Sequence, residues 1–235
     1  MSISIRGKTI YGPDIVTDGL VLYLDAANPN SYSGSGSVWK DLSNYKATST
    51  LLNPLFSEED NSYFTFTLGS TASLPYNPHY NIRTGITCAV FFKRLSTYNQ
   101  TSDQFILSRP PAWYFYDSYS SGSIRGDVCI DTIRVAGINS PIIPFDNKWY
   151  YVVYTYNSVN ATAKMYLNGQ HISSKVVSAL TNTLIDSSNA NFKSIGSTGT
   201  IERKSAMPNL MLYNRVLSDD EIIQNFNSLK NRFGL

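Results

Sequence analysis

Cysteine is nearly absent. The 235 residues contain two, Cys88 and Cys129, too few for a disulfide framework or a four-thiolate zinc site. Each lies in an apolar, strand-like run, so both are expected as reduced core residues. Histidine is as scarce, with only His79 and His171. Neither stands beside a nucleophile turn, and their spacing to the thiols is not that of a zinc site. Charge of either sign is thin: charged residues make up 15% of the chain and the formal net charge is +2. With Lys and Arg scattered, there is no electrostatic footprint for nucleic acid or an anionic membrane surface. No run approaches the ~18 apolar residues of a membrane span, and Met1 to Arg6 lacks the apolar segment of a signal peptide. The chain is therefore expected to be made and folded in a cytoplasm, which makes the sequons Asn99-Gln100-Thr101 and Asn160-Ala161-Thr162 chance matches.

Apolar material is plentiful, at 42% hydrophobic and 13% aromatic residues, so the chain should fold, and its length suits one large β-domain. Leu20-Val21-Leu22-Tyr23-Leu24 has no polar face, as expected of a strand buried on both sides. Tyr63 to Leu68 alternates strictly, with Phe64, Phe66 and Leu68 on one face. Further strands are predicted over 86–94, 104–108, 112–117, 123–130, 149–157, 162–168, 170–177 and 207–213. Asn168-Gly169 between two of these runs signals a hairpin, because a type I′ turn needs positive φ at both central residues. Residues 28–37 read as a Ser/Asn/Gly loop, and residues 1–17, with Gly7, Gly12 and Pro13, as an extended arm. Strands at this density without intervening helices describe an all-β antiparallel sandwich occupying residues 18–235. One helix is predicted over 218–233. Ser218-Asp219-Asp220-Glu221 is a capping box, Ile222, Phe226, Leu229 and Phe233 form an apolar stripe, and Gly234 follows.

These blocks together resemble the laminin-G-like or concanavalin A-like jelly roll, in the form common among structural proteins of large tailed bacteriophages. The resemblance rests on Asp18 to Asp25 with Asn28-Pro29 and Ser31-Tyr32, on Trp39-Lys40-Asp41-Leu42-Ser43, on Trp149 to Tyr156, and on Tyr166-Leu167-Asn168-Gly169. It closes with Leu212 to Ser218, Glu221-Ile222 and the ending Lys230 to Leu235. The sequence differs from the family's pattern at Tyr151, where many relatives show His, and at Pro208-Asn209, where a Gly-acidic segment is frequent. Between residues 97 and 146 nothing aligns closely.

That fold hosts lectins, glycosidases, adhesion modules and virion parts, so activity must be argued from a site. Glycoside hydrolysis needs two carboxylates about 5 to 10 Å apart. Only four Glu exist, Glu58, Glu59, Glu202 and Glu221, and the Glu-x-Asp-x-Glu motif of jelly-roll glucanases is missing. Asp127 and Asp131 would share a strand face but lie roughly 13 Å apart at about 3.3 Å per residue. No cofactor is expected. The resemblance leaves room for one structural calcium ion, without a ligand set. The distinctive local feature is Arg109 to Tyr119, where Trp113, Tyr114, Tyr116 and Tyr119 are candidate glycan-contact residues, because rings beside amide and hydroxyl groups suit sugar recognition. On a strand, Trp113 and Phe115 would point one way and Tyr114 and Tyr116 the other, leaving core packing and a protein interface as the competing reading.

The expectation is a non-enzymatic virion structural protein of a tailed phage, decorating the capsid or belonging to a neck, tail or fibre. Its partners would be other virion proteins, in many copies or as a homo-oligomer, assembled in the host cytoplasm. The alternative is a carbohydrate-binding module for a host surface glycan.

Overall fold

The computed structural model describes residues 2–5, 8–11, 14–67, 69–80, 82, 84–95, 103–109, 112–118, 120–130, 133–134, 137–176, 195–196 and 205–235. In chain order the strands are β1 (Ser2–Ile5), β2 (Lys8–Tyr11), β3 (Leu20–Asp25), β4 (Val38–Lys40), β5 (Thr48–Leu52), β6 (Leu55–Ser57), β7 (Tyr63–Phe66) and β8 (Thr71–Ser73). There follow β9 (Gly85–Arg94), β10 (Gln104–Arg109), β11 (Trp113–Asp117), β12 (Ser123–Ile130), β13 (Ile133–Arg134) and β14 (Ile138–Ile142). The last are β15 (Tyr150–Asn157), β16 (Thr162–Leu167), β17 (Gln170–Val176), β18 (Ile195–Gly196) and β19 (Ser205–Tyr213), before helix α1 (Asp219–Leu229) and a 3-10 turn at Lys230–Phe233.

Two antiparallel sheets form the sandwich. One, the helix-side sheet, runs β17-β16-β15-β9-β19-β7-β6 with β3 beside β19; the other, the open-side sheet, runs β13-β12-β11-β10-β18-β8-β5-β4 with β14 beside β12. Between them lies the main core, to which β9 and β15 contribute Ile86, Cys88, Val90, Phe92, Val152 and Tyr154. A second core lies outside the helix-side sheet, where Phe91, Tyr151, Val153, Met211 and Tyr213 meet Ile222, Leu229 and Phe233 of the C-terminal helix and turn. Every residue of β9 is buried for this reason: its alternate side chains enter two different cores. Cys88 and Cys129 are both buried and reduced, and burial pushes the Cys88 thiol up, which suppresses its nucleophilic thiolate.

The predicted long strands are present within one or two residues of their expected ends. The short β4, β5, β6, β8 and β14 do not stand out in the sequence, because three to five residues carry too little alternation. In β19, Pro208 sits where the register with β9 shifts between Ala206 and Asn209. A proline can occupy an inner strand at such a bulge because no ladder amide is asked of it. The Asn209 Oδ1 accepts from the Phe91 amide at 3.1 Å, replacing the lost rung. The hairpin at Asn168-Gly169 has φ of 50° and 81°, as a type I′ turn demands.

Within residues 1–17, expected as an extended arm, β1 and β2 pair with each other. Val16 belongs to the body: its amide donates to Asn225 Oδ1 at 2.8 Å, and its carbonyl accepts from Tyr213 Oη at 3.0 Å. The helix begins on the predicted capping box, with the Ser218 amide donating to Glu221 Oε2 at 2.8 Å and the Glu221 amide to Ser218 Oγ at 3.2 Å. The turn after the helix is fastened by a buried ion pair. Arg232 Nη1 donates to Asp25 Oδ1 at 2.8 Å and Oδ2 at 2.9 Å, and the two side chains are 2% and 1% exposed.

Removing one partner of such a pair strands a buried charge. Arg232→Ala should lower the unfolding free energy by about 3–5 kcal/mol, read from urea denaturation. A second prediction concerns acid. The Arg215 guanidinium bonded to Glu221 holds the Glu221 carboxyl at about 2, well below the ordinary range for a glutamate. A depressed pKa stabilises the fold above the unfolded-state value and the gain is lost as pH falls through the folded one. Thermal stability should therefore drop between about pH 5 and pH 2, and Glu221→Gln should flatten that part of the profile.

Candidate functional site

Strand β11 decides which aromatic residues meet solvent. Trp113 and Phe115 turn inward; Trp113 is 1% exposed and Phe115 stacks on Tyr154 at 6.5 Å in the main core. Trp113 is thus a core ring with no face for a sugar, which corrects the expectation that it contacts ligand. Tyr114 and Tyr116 turn to the outer face of the open-side sheet. Tyr116 is 2% exposed and its hydroxyl donates to Asp127 Oδ2 at 2.7 Å, so it supports the surface from beneath rather than presenting its ring. Tyr114 is half-buried. Tyr119 lies outside the described residues.

The sheet register brings three further residues to Tyr114. Phe105 of β10 lies opposite Tyr116, with its ring 5.8 Å from that of Tyr114 and 6.2 Å from that of Tyr116. Arg125 and Asp127 of β12 lie opposite Tyr116 and Tyr114. Asp127 is fully buried, and Arg125 Nε donates to its Oδ1 at 3.1 Å and Oδ2 at 3.2 Å. Partial burial pulls the guanidinium down, but the adjacent Asp127 and Tyr116 outweigh it and leave its pKa above the ordinary value. Between them, Gly126 faces inward, where a Cβ would lie 2.2 Å from the Tyr154 ring. The close approach of the two sheets at that point keeps β12 flat against the core. The result is a platform: two half-buried rings, Phe105 and Tyr114, beside a cation whose fork is fixed by a buried carboxylate.

The sequence singles out Tyr114 but not Phe105 or Arg125. The signal existed, because both alternate correctly on predicted strands, but only the register of β10 on β11 and β11 on β12 places them together. Asp127, too far along the strand from Asp131 to form a catalytic pair with it, is spent on Tyr116 and Arg125, and Asp131 lies outside the described residues. The histidines sit apart, His79 against the Tyr45 ring at 3.9 Å and His171 edge-on to Tyr166 at 5.3 Å. Among the described residues, no group of three or more His, Cys, Asp or Glu side chains could hold a metal ion. No helix among them is long and apolar enough to cross a membrane. A concavity of about 440 Å³ opens on the helix side, lined by Asp60, Asn147, Lys148, Trp149, Asn168 and Phe233 among others.

The laminin-G-type model of the concanavalin A-like lectin/glucanases superfamily matches residues 66–223. The chain belongs to that superfamily. No curated protein matches it by sequence. Among solved structures it is similar to the binding domain of botulinum neurotoxin DC in complex with rat synaptotagmin II, at 16% identity and a TM-score of 0.68, over 91% of this chain and 52% of that one. It is also similar to the binding domain of Paraclostridial Mosquitocidal Protein 1, at 16% identity and a TM-score of 0.71, over 91% and 53% of the two chains. A third is botulinum neurotoxin type C, whose cell entry is dependent upon interaction with two ganglioside molecules, at 16% identity and a TM-score of 0.66, over 90% and 51% of the two chains. At these identities the likeness is one of fold, and the chain spans about half the length of those structures. The superfamily's sandwich, mostly β with one short C-terminal helix, is the architecture expected from the sequence.

The placement of the rings yields a stability contrast. Trp113→Ala should cost about 3–5 kcal/mol in urea unfolding, as a large core truncation does. Tyr114→Ala, on the outer face, should cost about 1 kcal/mol or less.

Proposed function

We propose that this superfamily member is a non-enzymatic binding module that holds a glycan against the Phe105–Tyr114 platform. The observation that carries this reading is the pairing of two partly exposed rings with a braced guanidinium on one rigid sheet face. Rings supply an apolar plate for the C–H face of a sugar ring, and Arg125, 35% exposed, supplies fixed donors at its rim. Because Asp127 and Tyr116 hold that arrangement from below, binding needs little ordering of the surface. The fold shared with toxin binding domains supports the class of function, one of them being tied to gangliosides.

We further propose that the module works in many copies on the exterior of a tailed-phage particle, with other virion proteins as its protein partners, after assembly in the host cytoplasm. The likeness of the ending Lys230 to Leu235 to the versions found in phage structural proteins supports that setting.

A glycan array tests the first part. The wild-type chain should retain a subset of glycans, and Phe105→Ala with Tyr114→Ala should weaken that retention at least about tenfold, the equivalent of 1.4 kcal/mol, while the melting temperature moves little. Equal retention by the double variant would refute the platform. Mass spectrometry of purified particles tests the second part, and absence of the chain from them would remove the virion setting.

A further inference from the structure

The helix-side concavity is built around a carboxylate that is held by one oxygen. Lys93, 3% exposed, forms an ion pair with Asp60 Oδ2, and Trp149 Nε1 donates to the same oxygen at 3.1 Å. The ammonium also lies 4.6 Å from the Trp149 ring and 5.4 Å from that of Tyr63, inside an aromatic box. Among the described residues nothing bonds Asp60 Oδ1, and the side chain is 46% exposed. Two donors thus fix the carboxylate and leave its second oxygen as an outward acceptor.

The backbone that carries Asp60 is held in a costly shape. Asp60, Asn61 and Ser62 have φ of 45°, 76° and 57°, three consecutive left-handed residues without a glycine. Arg232 Nη2 donates to the Asn61 carbonyl at 2.9 Å and the Ser62 amide to the Glu59 carbonyl at 3.1 Å, which keeps the loop in place.

Asn168, also lining the concavity, is held in the complementary sense. Its Oδ1 accepts from the Tyr151 amide at 2.9 Å and its amide donates to the Tyr151 carbonyl at 2.8 Å. Among the described residues its Nδ2 donates to nothing. Trp149 and Phe233, 5.1 Å apart, supply an apolar wall. The charged side chains that line the space are paired, Asp60 with Lys93 and Lys148 with Asp146 at 3.7 Å. The volume of about 440 Å³ falls within the range of small-ligand sites.

We propose that this concavity is a second saccharide subsite, in which Asp60 Oδ1 accepts from one hydroxyl and Asn168 Nδ2 donates to its neighbour on an uncharged pyranose. One anchored acceptor and one anchored donor lining the same concavity suit a polyhydroxyl ligand, and a hydroxyl bonded to a carboxylate makes the stronger, charge-assisted kind of bond. An anionic sugar would bring its own carboxylate against Asp60. The inference rests on the proposed function only for its ligand class, since it uses other residues on the other face of the sandwich.

The test is saturation-transfer NMR and calorimetric titration of the full chain carrying Tyr114→Ala, with methyl α-mannopyranoside, methyl α-galactopyranoside and N-acetylneuraminic acid. At least one neutral pyranoside should bind and the acid should not. Asn168→Asp keeps the acceptor for the Tyr151 amide and tolerates the left-handed backbone, but replaces the donor; it should weaken binding about tenfold with an unchanged melting temperature. Asp60→Asn should weaken it as well, and if that variant unfolds, Asn168→Asp alone decides. Failure of both neutral pyranosides to bind, preference for the acid, or equal binding by Asn168→Asp would overturn the subsite. Those outcomes leave the platform standing, just as an array signal insensitive to Phe105 and Tyr114 would leave this subsite standing.

Discussion

The ion pair between Asp25 and Arg232 sets the terms for the rest of the molecule. A sheet covered on both faces, by the opposing sheet and by the C-terminal helix, excludes water from both sides, so any polar group that enters must bring its partners. Asp25 sits at the end of such a strand and collects Arg232, the Tyr23 hydroxyl at 3.0 Å and the Ala27 amide at 3.0 Å. The same carboxylate therefore satisfies the strand end and holds down the turn that closes the second core. Arg232 in turn reaches the Asn61 carbonyl, which links the C-terminal turn to the left-handed loop carrying Asp60. Without that pair the helix would lose its last anchor and the concavity its back wall.

The same logic recurs at Asp41 and Asp117. Asp41 accepts from the Tyr23, Ser43 and Ala47 amides at 2.8, 2.8 and 3.1 Å and from Ser43 Oγ at 2.6 Å. This gives the Trp-x-Asp-Leu-Ser block a structural meaning: Trp39 fills the main core and Asp41, just past the strand, takes up donors of the following loop and of Tyr23 on β3. Asp117 pairs with Arg94 across the sandwich, joining β11 of one sheet to β9 of the other. Among the described residues the buried acids Asp25, Asp41 and Asp117 thus serve as internal braces, and Asp127 under the platform is one more.

Long-range order was legible in the sequence where burial alone dictates residue choice. Leu20 to Leu24, Gly85 to Arg94 and Tyr150 to Tyr156 show uninterrupted or alternating apolar character because each has two faces to fill, and the capping box at Ser218 announces the helix through local chemistry. The sites were less legible because they are made between strands. Which of Trp113 and Tyr114 faces solvent depends on a register that period-2 alternation leaves undetermined by one residue. Asp60 gave no sign at all: its role comes from the backbone at Asp60-Asn61-Ser62 and from Lys93 and Trp149, which lie far away in the chain.

The two departures from the family's usual pattern both find a packing reason. Tyr151, where many relatives show His, lies beneath the helix with its ring 4.7 Å from Phe91 and 5.9 Å from Phe226, so an aromatic ring extends the stack that seats α1. Pro208-Asn209 replaces a frequent Gly-acidic segment and builds the bulge in β19, where Asn209 repairs the rung that proline breaks. That bulge lets one strand pair with β7 along its first half and with β3 along its second. Both changes therefore serve the interior, and they concentrate this chain's individuality in what its two outer faces display: rings and a braced cation on one, a braced carboxylate and amide on the other.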